Sequence, residues 1–329
     1  SDTWAGFTVT SSAVGNRGQF TSPGLPAGDY YALTFAPPPH INELFNDIPC
    51  FFCDVTSGTL VSVATGNDTG NIDFVLDSGG YFSGTITESV SGDELRDIVV
   101  DIFDSTGTWL ANPATDSLGR YTSPGLPAGD YYARTWNMEG WVNERYDDQA
   151  CPPNCDPVTD GTAVPVQVGV ETSAIDFALD PGGAISGTVT DKETKQPIEG
   201  MTVEIWDANG EFANAAVSDA TGDYEINGLP AGTYHALTWN DRGYPSTLYT
   251  GYPCAGCEVT LGTPISVTAS TTTSNIDFAL GAGGFVEGRV TSAGGGVADI
   301  HVEFWTPSGH LATWQPTQAN GRYTTEWAL

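Results

Sequence analysis

Hydrophobic and polar residues alternate in short segments along the chain, and each segment ends in a cluster of turn-forming residues. Residues 184–190 alternate in this way and break at the polar stretch 191–194, and residues 201–206 alternate again. No segment carries a sustained 3.6-residue apolar period, which an amphipathic helix would show. About seven such segments per unit, spaced at roughly 8–12 residues, therefore predict an all-β fold of antiparallel, Greek-key-type sandwiches.

Turn signals separate these segments at regular places. Residues 207–210 read Asp-Ala-Asn-Gly, and because Asn-Gly supplies positive φ, they predict a tight two-residue hairpin turn. Residues 104–107 occupy the same place 103 residues earlier. Residues 219–222 predict a second turn, followed by a short strand over 223–226 and a rigid Gly-Leu-Pro-Ala-Gly link over 228–232.

The segment after this link predicts which face of a strand is buried. Residues 30–35, 131–136 and 234–239 all place Tyr, Ala and Thr on one face. The other face carries Arg134 in one copy, and a face that accepts an arginine is not a dry core. We therefore expect the Tyr-Ala-Thr face to look inward. The rings of Phe35, Trp136 and Trp239 should then lie outward or under a cysteine loop.

The chain repeats one unit of about a hundred residues, which is the size of a self-sufficient domain. Gly-Leu-Pro-Ala-Gly starts at Gly24, Gly125 and Gly228, and an Ile-Asp-Phe motif and a pair of cysteines recur at the same spacings of 101 or 103 residues. Boundaries at the Gly-Gly pairs predict a partial unit over 1–78 that lacks its first strands, complete units over 79–181 and 182–282, and a partial unit over 283–329 with early strands only.

The connections between units are short. About four residues, 180–183, join one complete unit to the next, too few for free reorientation. The spacing predicts a stiff row of domains. The partial units at the two ends leave two alternatives: the chain is a piece of a longer protein, or the ends complete each other between molecules and the protein self-associates.

Composition narrows the range of partners. The chain carries 41 acidic and only 10 basic residues, a net charge of −31. Such a surface repels phosphate backbones and anionic lipid headgroups, so we expect neither nucleic-acid nor membrane-surface binding. No run approaches the length of a membrane span, so we expect no membrane insertion within this segment. A soluble, self-repelling surface is the favoured interpretation of the charge. Binding of a divalent cation such as calcium is the alternative, although no segment has the spacing of an EF-hand loop. We expect no other cofactor.

Three cysteine pairs recur in the repeat, and local disulfides are favoured over a metal site or a redox site. Redox catalysis needs the first thiol at a helix N-terminus, whereas residues 258–261 predict a strand after the last pair. A lone pair supplies only two zinc ligands, and the four histidines do not recur beside the pairs. Disulfides would indicate an oxidising, extracytoplasmic compartment. The predicted bonds join Cys50 to Cys53, Cys151 to Cys155 and Cys254 to Cys257.

The order of motifs over 182–282 resembles the carboxypeptidase regulatory-like domains. Residues 186–191, 197–203, 219–224 and 228–234 carry the resemblance, which also covers most of 79–181. It implies a transthyretin-like β-sandwich and a non-catalytic module, commonly an accessory to secreted enzymes or a tandem element of bacterial cell-surface proteins. Starch-binding domains and the B-type repeats of Gram-positive adhesins are similar in shape. The cysteine loop departs from the usual family pattern.

No nucleophile elbow, phosphate loop or recurring histidine constellation indicates an enzyme. The leading hypothesis is a structural, extracellular or cell-surface repeat protein that serves as a stalk, surface fibre or filament subunit. One alternative is a carbohydrate-binding or adhesin module that holds a polysaccharide on Phe35, Trp136, Trp141 and Trp239, although interdomain packing is the favoured role for these rings. Another is an accessory segment of a secreted hydrolase.

Overall fold

The computed structural model describes residues 5–12, 18–51, 53–153, 155–239, 243–254, 257–292, 294–305 and 311–325. In this part of the chain almost all regular structure is β-strand, and the only helices are single 3-10 turns over Val55–Ser57 and Val259–Leu261. The predicted all-β fold is therefore confirmed.

The two central units contain the same ten strands. In the second unit they are β5 (Tyr81–Glu88), β6 (Val99–Asp104), β7 (Trp109–Ala111), β8 (Arg120–Thr122), β9 (Gly129–Trp136), β10 (Glu144–Arg145), β11 (Gln149–Ala150), β12 (Val164–Val166), β13 (Glu171–Thr172) and β14 (Phe177–Leu179). In the third they are β15 (Gly183–Asp191), β16 (Thr202–Asp207), β17 (Phe212–Val217), β18 (Asp223–Leu229), β19 (Gly232–Trp239), β20 (Thr247–Leu248), β21 (Tyr252–Pro253), β22 (Ile265–Val267), β23 (Thr272–Thr273) and β24 (Phe278–Leu280).

The flanking units contain fewer strands. The first has β1 (Gly28–Tyr30), β2 (Glu43–Leu44), β3 (Ile48–Pro49) and β4 (Val61–Val63). The last has β25 (Glu287–Arg289), β26 (Thr291–Ser292), β27 (Gly295–Gly296), β28 (His301–Trp305), β29 (Leu311–Pro316) and β30 (Arg322–Thr324). The division into four units remains a prediction, but the strand content follows the sequence repeat.

Each central unit is built from two sheets. In the third unit the larger sheet has the order β17-β16-β19-β20-β21, with β22 also on β19, and all its pairs are antiparallel. The smaller sheet is centred on β15, which pairs antiparallel with β18 and parallel with β23 and β24. The second unit repeats this arrangement around β9 and β5. The last segment of each unit thus returns parallel to the first strand.

The core lies between the two sheets and comes from alternate residues of the strands and from residues next to the strands. Burying one such aliphatic or aromatic side chain contributes about 1.5–3 kcal/mol, so the core supplies much of the stability of each unit. In the third unit the buried set includes Ile185, Val189, Met201, Val203, Ile205, Ile226, Leu229 and Phe278. In the second it includes Phe82, Ile86, Ile98, Val100, Ile102, Leu126, Phe177 and Leu179.

The predicted orientation of the Tyr-Ala-Thr strand is confirmed in the second unit. Tyr131, Ala133 and Thr135 are buried, and Trp136 points to the other side. Arg134 on that outer side lies 3.2 Å from Asp101, with its guanidinium over the ring of Phe103. The third unit differs at one outward position, because His235 is buried, with Nδ1 3.0 Å from the carbonyl of Gly262.

Two local predictions were wrong. The Asp-x-x-Gly turns are three-residue loops: Asp207 and Glu211 form the closing pair, and only Gly210 has positive φ. The Asp207 carboxylate accepts hydrogen bonds from the N–H groups of Asn209 and Glu211, each at 2.8 Å, which favours the longer loop. The link at 228–232 is not separate from the preceding strand either, because β18 continues through Gly228 to Leu229.

Candidate functional site

Three loops carry backbone contacts between successive units. We call residues 37–41, 138–142 and 243–245 the joint loops; each follows the Tyr-Ala-Thr segment of its own unit. In every joint a glycine N–H at the start of the next unit donates to a joint-loop carbonyl: Gly79 to Pro39 (2.7 Å), Gly182 to Gly140 (2.8 Å) and Gly283 to Gly243 (2.9 Å). Three residues separate β14 from β15, so this bond lies directly at the connection.

The first two joints are closed by a second bond, so that each contains a short antiparallel bridge. Ile41 N–H donates to the Asp77 carbonyl at 3.0 Å beside the His40–Ser78 bridge. Val142 N–H likewise donates to the Asp180 carbonyl at 2.9 Å, beside the bridge of Trp141 with Pro181. The linker is therefore held along the joint loop and is not a free connection.

The Gly-Leu-Pro-Ala-Gly motif of the following unit packs against the same loops. A Cβ atom on Gly125 would collide with the carbonyl groups of Pro39 and His40, and one on Gly228 would meet the Trp141 carbonyl. At Gly24, the equivalent position of the first unit, a Cβ would meet nothing within 4 Å. The absence of a side chain at Gly125 and Gly228 thus permits close approach between units.

The four predicted aromatic residues differ in their exposure. Phe35, Trp136 and Trp239 occupy the same strand position in three units and are 86%, 39% and 46% exposed. Trp141 is half-buried, packs against the core of the second unit and belongs to a joint loop. Their role as a glycan or interdomain platform remains a prediction.

The cysteines of each pair lie side by side in the structure, which joins them as disulfides within loops of four or five residues. The Cα atoms are 5.1 Å apart for Cys50–Cys53, 5.3 Å for Cys151–Cys155 and 5.1 Å for Cys254–Cys257. The prediction of a strand after the last pair was wrong, because Val259–Leu261 is a 3-10 turn. The acidic residue after the second cysteine starts this turn in the first and third units, and in the first unit its side chain, Asp54, accepts from Thr56 N–H at 2.9 Å.

Carboxylates are numerous, and several of them accept hydrogen bonds within turns. The N–H groups of Arg120 and Leu118 hold the pKa of the Asp116 carboxyl below its usual range, and the Thr221 hydroxyl and N–H do the same for Asp219. Among the residues that the structure describes, no group of three or more His, Cys, Asp or Glu side chains is arranged to hold a metal ion. His310 lies outside the described residues. The described helices include none with the length and hydropathy of a membrane span.

Sequence reasoning missed two buried glutamates beside the joints. Glu144 is 6% exposed and Glu43 is 5% exposed. Burial raises the pKa of Glu144 to about 7, and the charges of Asp148 and Asp180 add to the shift. Burial also raises the pKa of Glu43. One sequence signal for these glutamates was available: the equivalent residue of the third unit is Thr247. A comparison of the repeats for changes of charge would have found it.

Comparison with known proteins finds one family model and several similar surface proteins. The sequence model of the carboxypeptidase regulatory-like domain matches residues 184–281, which confirms the resemblance for that segment. Serine-aspartate repeat-containing protein D of Staphylococcus aureus (strain Newman) is 26% identical over 264 residues, or 73% of this chain. Serine-aspartate repeat-containing protein F of Staphylococcus epidermidis is 24% identical over 221 residues, or 59% of this chain. The chain spans only 20% and 13% of the lengths of these relatives.

Solved structures of two pilins are also similar to parts of the chain. A streptococcal ancillary pilin aligns over 81% of this chain and 78% of its own, with 12% identity and a TM-score of 0.28. The shaft pilin spaA from Lactobacillus rhamnosus GG aligns over 63% of this chain and 99% of its own, with 13% identity and a TM-score of 0.28.

Proposed function

We propose that this chain is a structural segment of an extracellular or cell-surface protein, in which β-sandwiches in series form a stiff stalk or fibre. The observation that carries the proposal is the joint. A three-residue connection between β14 and β15 is held by the bonds of Val142 to Asp180 and of Gly182 to Gly140, and Gly228 packs on the same loop. A connection with these contacts resists bending, whereas a free linker would not.

Three further observations support this role. The similarity to serine-aspartate repeat-containing protein D runs over 73% of the chain, and therefore over more than one unit. Disulfides at three equivalent loops are expected outside the cytoplasm. The charge of −31 keeps such a surface soluble. We assign the chain no catalytic role, because its carboxylates hold turns and its recurring contacts serve joints.

Small-angle X-ray scattering on the full 329-residue chain tests the stiffness. The comparison is a variant with a flexible Gly-Ser insert between Asp180 and Pro181. We expect the unmodified chain to scatter as one extended particle and the insert variant to show a broader distribution of dimensions. If the two chains have the same distribution, the joint does not restrain the units and the proposal is wrong.

Polysaccharide binding is a second candidate function, and the exposure of one ring per unit favours it. Trp136 and Trp239 present partly exposed rings at matching positions, and stacking on a sugar ring needs such a surface. Titration of soluble polysaccharides followed by calorimetry would show binding that is lost in Trp136→Ala and Trp239→Ala. Loss of binding also in Trp305→Ala, on another exposed ring, would indicate a non-specific effect.

Self-association through the partial units is the finer form of the structural proposal. In the last unit β28 pairs only with β29, and β25 only with β30, among the described residues. Strand edges left open in this way favour pairing with another chain. Sedimentation velocity over a range of concentrations should show growing assemblies. A constant monomer mass would reject self-association and leave the stiff segment itself untouched. An accessory role beside a hydrolase remains a prediction.

A further inference from the structure

The second joint contains a buried carboxyl group on which no lysine or arginine of the described residues acts. Glu144 lies on β10, two residues after Val142, whose N–H bonds the Asp180 carbonyl. Its Oε2 atom is buried and has no hydrogen-bond partner among the described residues. A buried acceptor without a partner costs about 1–3 kcal/mol, and more when it is ionised. A backbone hydrogen bond from Asp180 to the carboxyl favours the ionised form, but burial and the charges of Asp148 and Asp180 outweigh it.

The charged groups that act on Glu144 are both acidic. Asp148 lies in the hairpin loop between β10 and β11, and Asp180 lies in the linker after β14. The nearest arginine in sequence, Arg145, is engaged by Gln149 and Asp160. No lysine or arginine acts on the Glu144 carboxyl within the described part of the chain. Ionisation would therefore place a third negative charge beside two others across the joint.

The three acids change together along the repeat. The first unit has Glu43, Asp47 and Asp77 at the equivalent positions, and the same two aspartates act on its buried glutamate. The third unit has Thr247, Gly251 and Gly281 instead. The third unit therefore lacks the buried carboxyl and both aspartates together. This is expected if the three acids interact with one another.

We propose that Glu144 is a proton-binding site that makes the second joint sensitive to pH: the joint is closed when the carboxyl is neutral and loosened when it is ionised. The neutral acid removes the repulsion from the two aspartates and needs less solvation. When Glu144 is ionised, the hairpin of β10 and β11 moves away from the linker. This movement weakens the hydrogen bonds that the Val142 and Gly182 N–H groups donate. This inference concerns proton binding and does not depend on a mechanical role for the chain.

The first test measures proton binding to the Glu144 carboxyl directly. The full chain is labelled with ¹³C in the glutamate carboxyl groups, and the side-chain shifts are followed by NMR against pH. Glu144→Gln identifies the signal. We expect a midpoint near 7, so that the proton is bound roughly 300-fold more tightly than by an ordinary glutamate at 4.5. A midpoint at the ordinary value would overturn the proposal.

The second test measures opening of the second joint by hydrogen exchange. Hydrogen exchange of the Val142 and Gly182 amides, corrected for intrinsic rates, is compared at about pH 5.5 and about pH 8.5. Protection should fall by roughly 10-fold or more at the higher pH in the unmodified chain and stay constant in Glu144→Gln. The amide of Gly283, at the joint without these acids, serves as the internal control.

Two controls separate this proposal from others. Glu139→Gln changes an exposed carboxylate in the same joint loop and should leave the pH dependence intact. If it abolishes the dependence, total charge and not the buried site is responsible. The titration is then repeated with millimolar calcium chloride. A large downward shift of the Glu144 midpoint would assign the site to a divalent cation and overturn the proposal.

Discussion

Substitution of Gly125 by alanine tests whether the units are held together by close backbone approach. The added methyl group would collide with the carbonyl groups of Pro39 and His40, which are backbone atoms and have no side-chain freedom to move away. The first joint loop would have to shift as a whole. The core of the second unit would be affected less, because the collision lies at its surface toward the first unit.

The expected loss follows from the two bonds that close this joint. Gly79 N–H donates to Pro39 at 2.7 Å, and Ile41 N–H donates to Asp77 at 3.0 Å. Each backbone hydrogen bond contributes about 0.5–1.5 kcal/mol net, so loss of both costs about 1–3 kcal/mol. Direct overpacking costs a similar amount, about 1–3 kcal/mol. The closed joint should therefore become roughly 10- to 100-fold less favourable.

Hydrogen exchange of the Ile41 and Gly79 amides is the appropriate assay, because it reports opening of the joint separately from global unfolding. Both amides should exchange roughly 10- to 100-fold faster in Gly125→Ala, while the Val142 amide at the other joint keeps its rate. Gly24→Ala is the matched control, since its Cβ meets open space. The reasoning is refuted if Gly125→Ala and Gly24→Ala leave the joint equally protected.

Three further predictions concern single groups. Tyr224→Phe removes a buried 2.6 Å bond to the Ile276 carbonyl and should lower the free energy of unfolding by about 1–3 kcal/mol in urea titrations; an unchanged value would show that the carbonyl finds another donor. Asp219→Asn should flatten the fall of the melting temperature at acid pH, because a carboxyl with a lowered pKa stabilises the fold above the unfolded pKa and loses that contribution as pH falls through the folded one. Replacement of Cys254 and Cys257 by serine should cost no more than about 2 kcal/mol by calorimetry, since the closed loop is short; complete unfolding would contradict this.

The fold could be predicted because alternation and turn signals are local. Inward and outward residues of the strand over 131–136 follow from the period of two, and Arg134 identified the outer face. The loop after Asp207 could not be assigned correctly, because a three-residue loop and a two-residue turn share the Asn-Gly pair. The choice between them depends on two hydrogen bonds to the Asp207 carboxylate.

Neither the joints nor their buried glutamates could be predicted from short sequence patterns. A single glutamate on a two-residue strand carries no local sign of burial, and Asp180, which acts on the buried Glu144 carboxyl, follows about thirty-six residues later in the chain. The 3-10 turn at Val259–Leu261 was missed for a related reason, because a four-residue apolar-rich stretch fits a strand and a turn equally well.

Some acidic residues of this chain stabilise it at higher pH and others at lower pH. All the contacts therefore coexist only within a limited pH range. Turn carboxylates such as Asp116 have lowered pKa values and stabilise the fold once pH exceeds the ordinary aspartate range. Glu144 has a raised pKa of about 7, so its contribution is complete only below the ordinary glutamate value and is lost as pH rises through 7. The second joint should therefore be firmest in mildly acidic solution. The third joint, with Thr247 and Gly281 in place of the acids, lacks the second effect and should keep its contacts into the alkaline range.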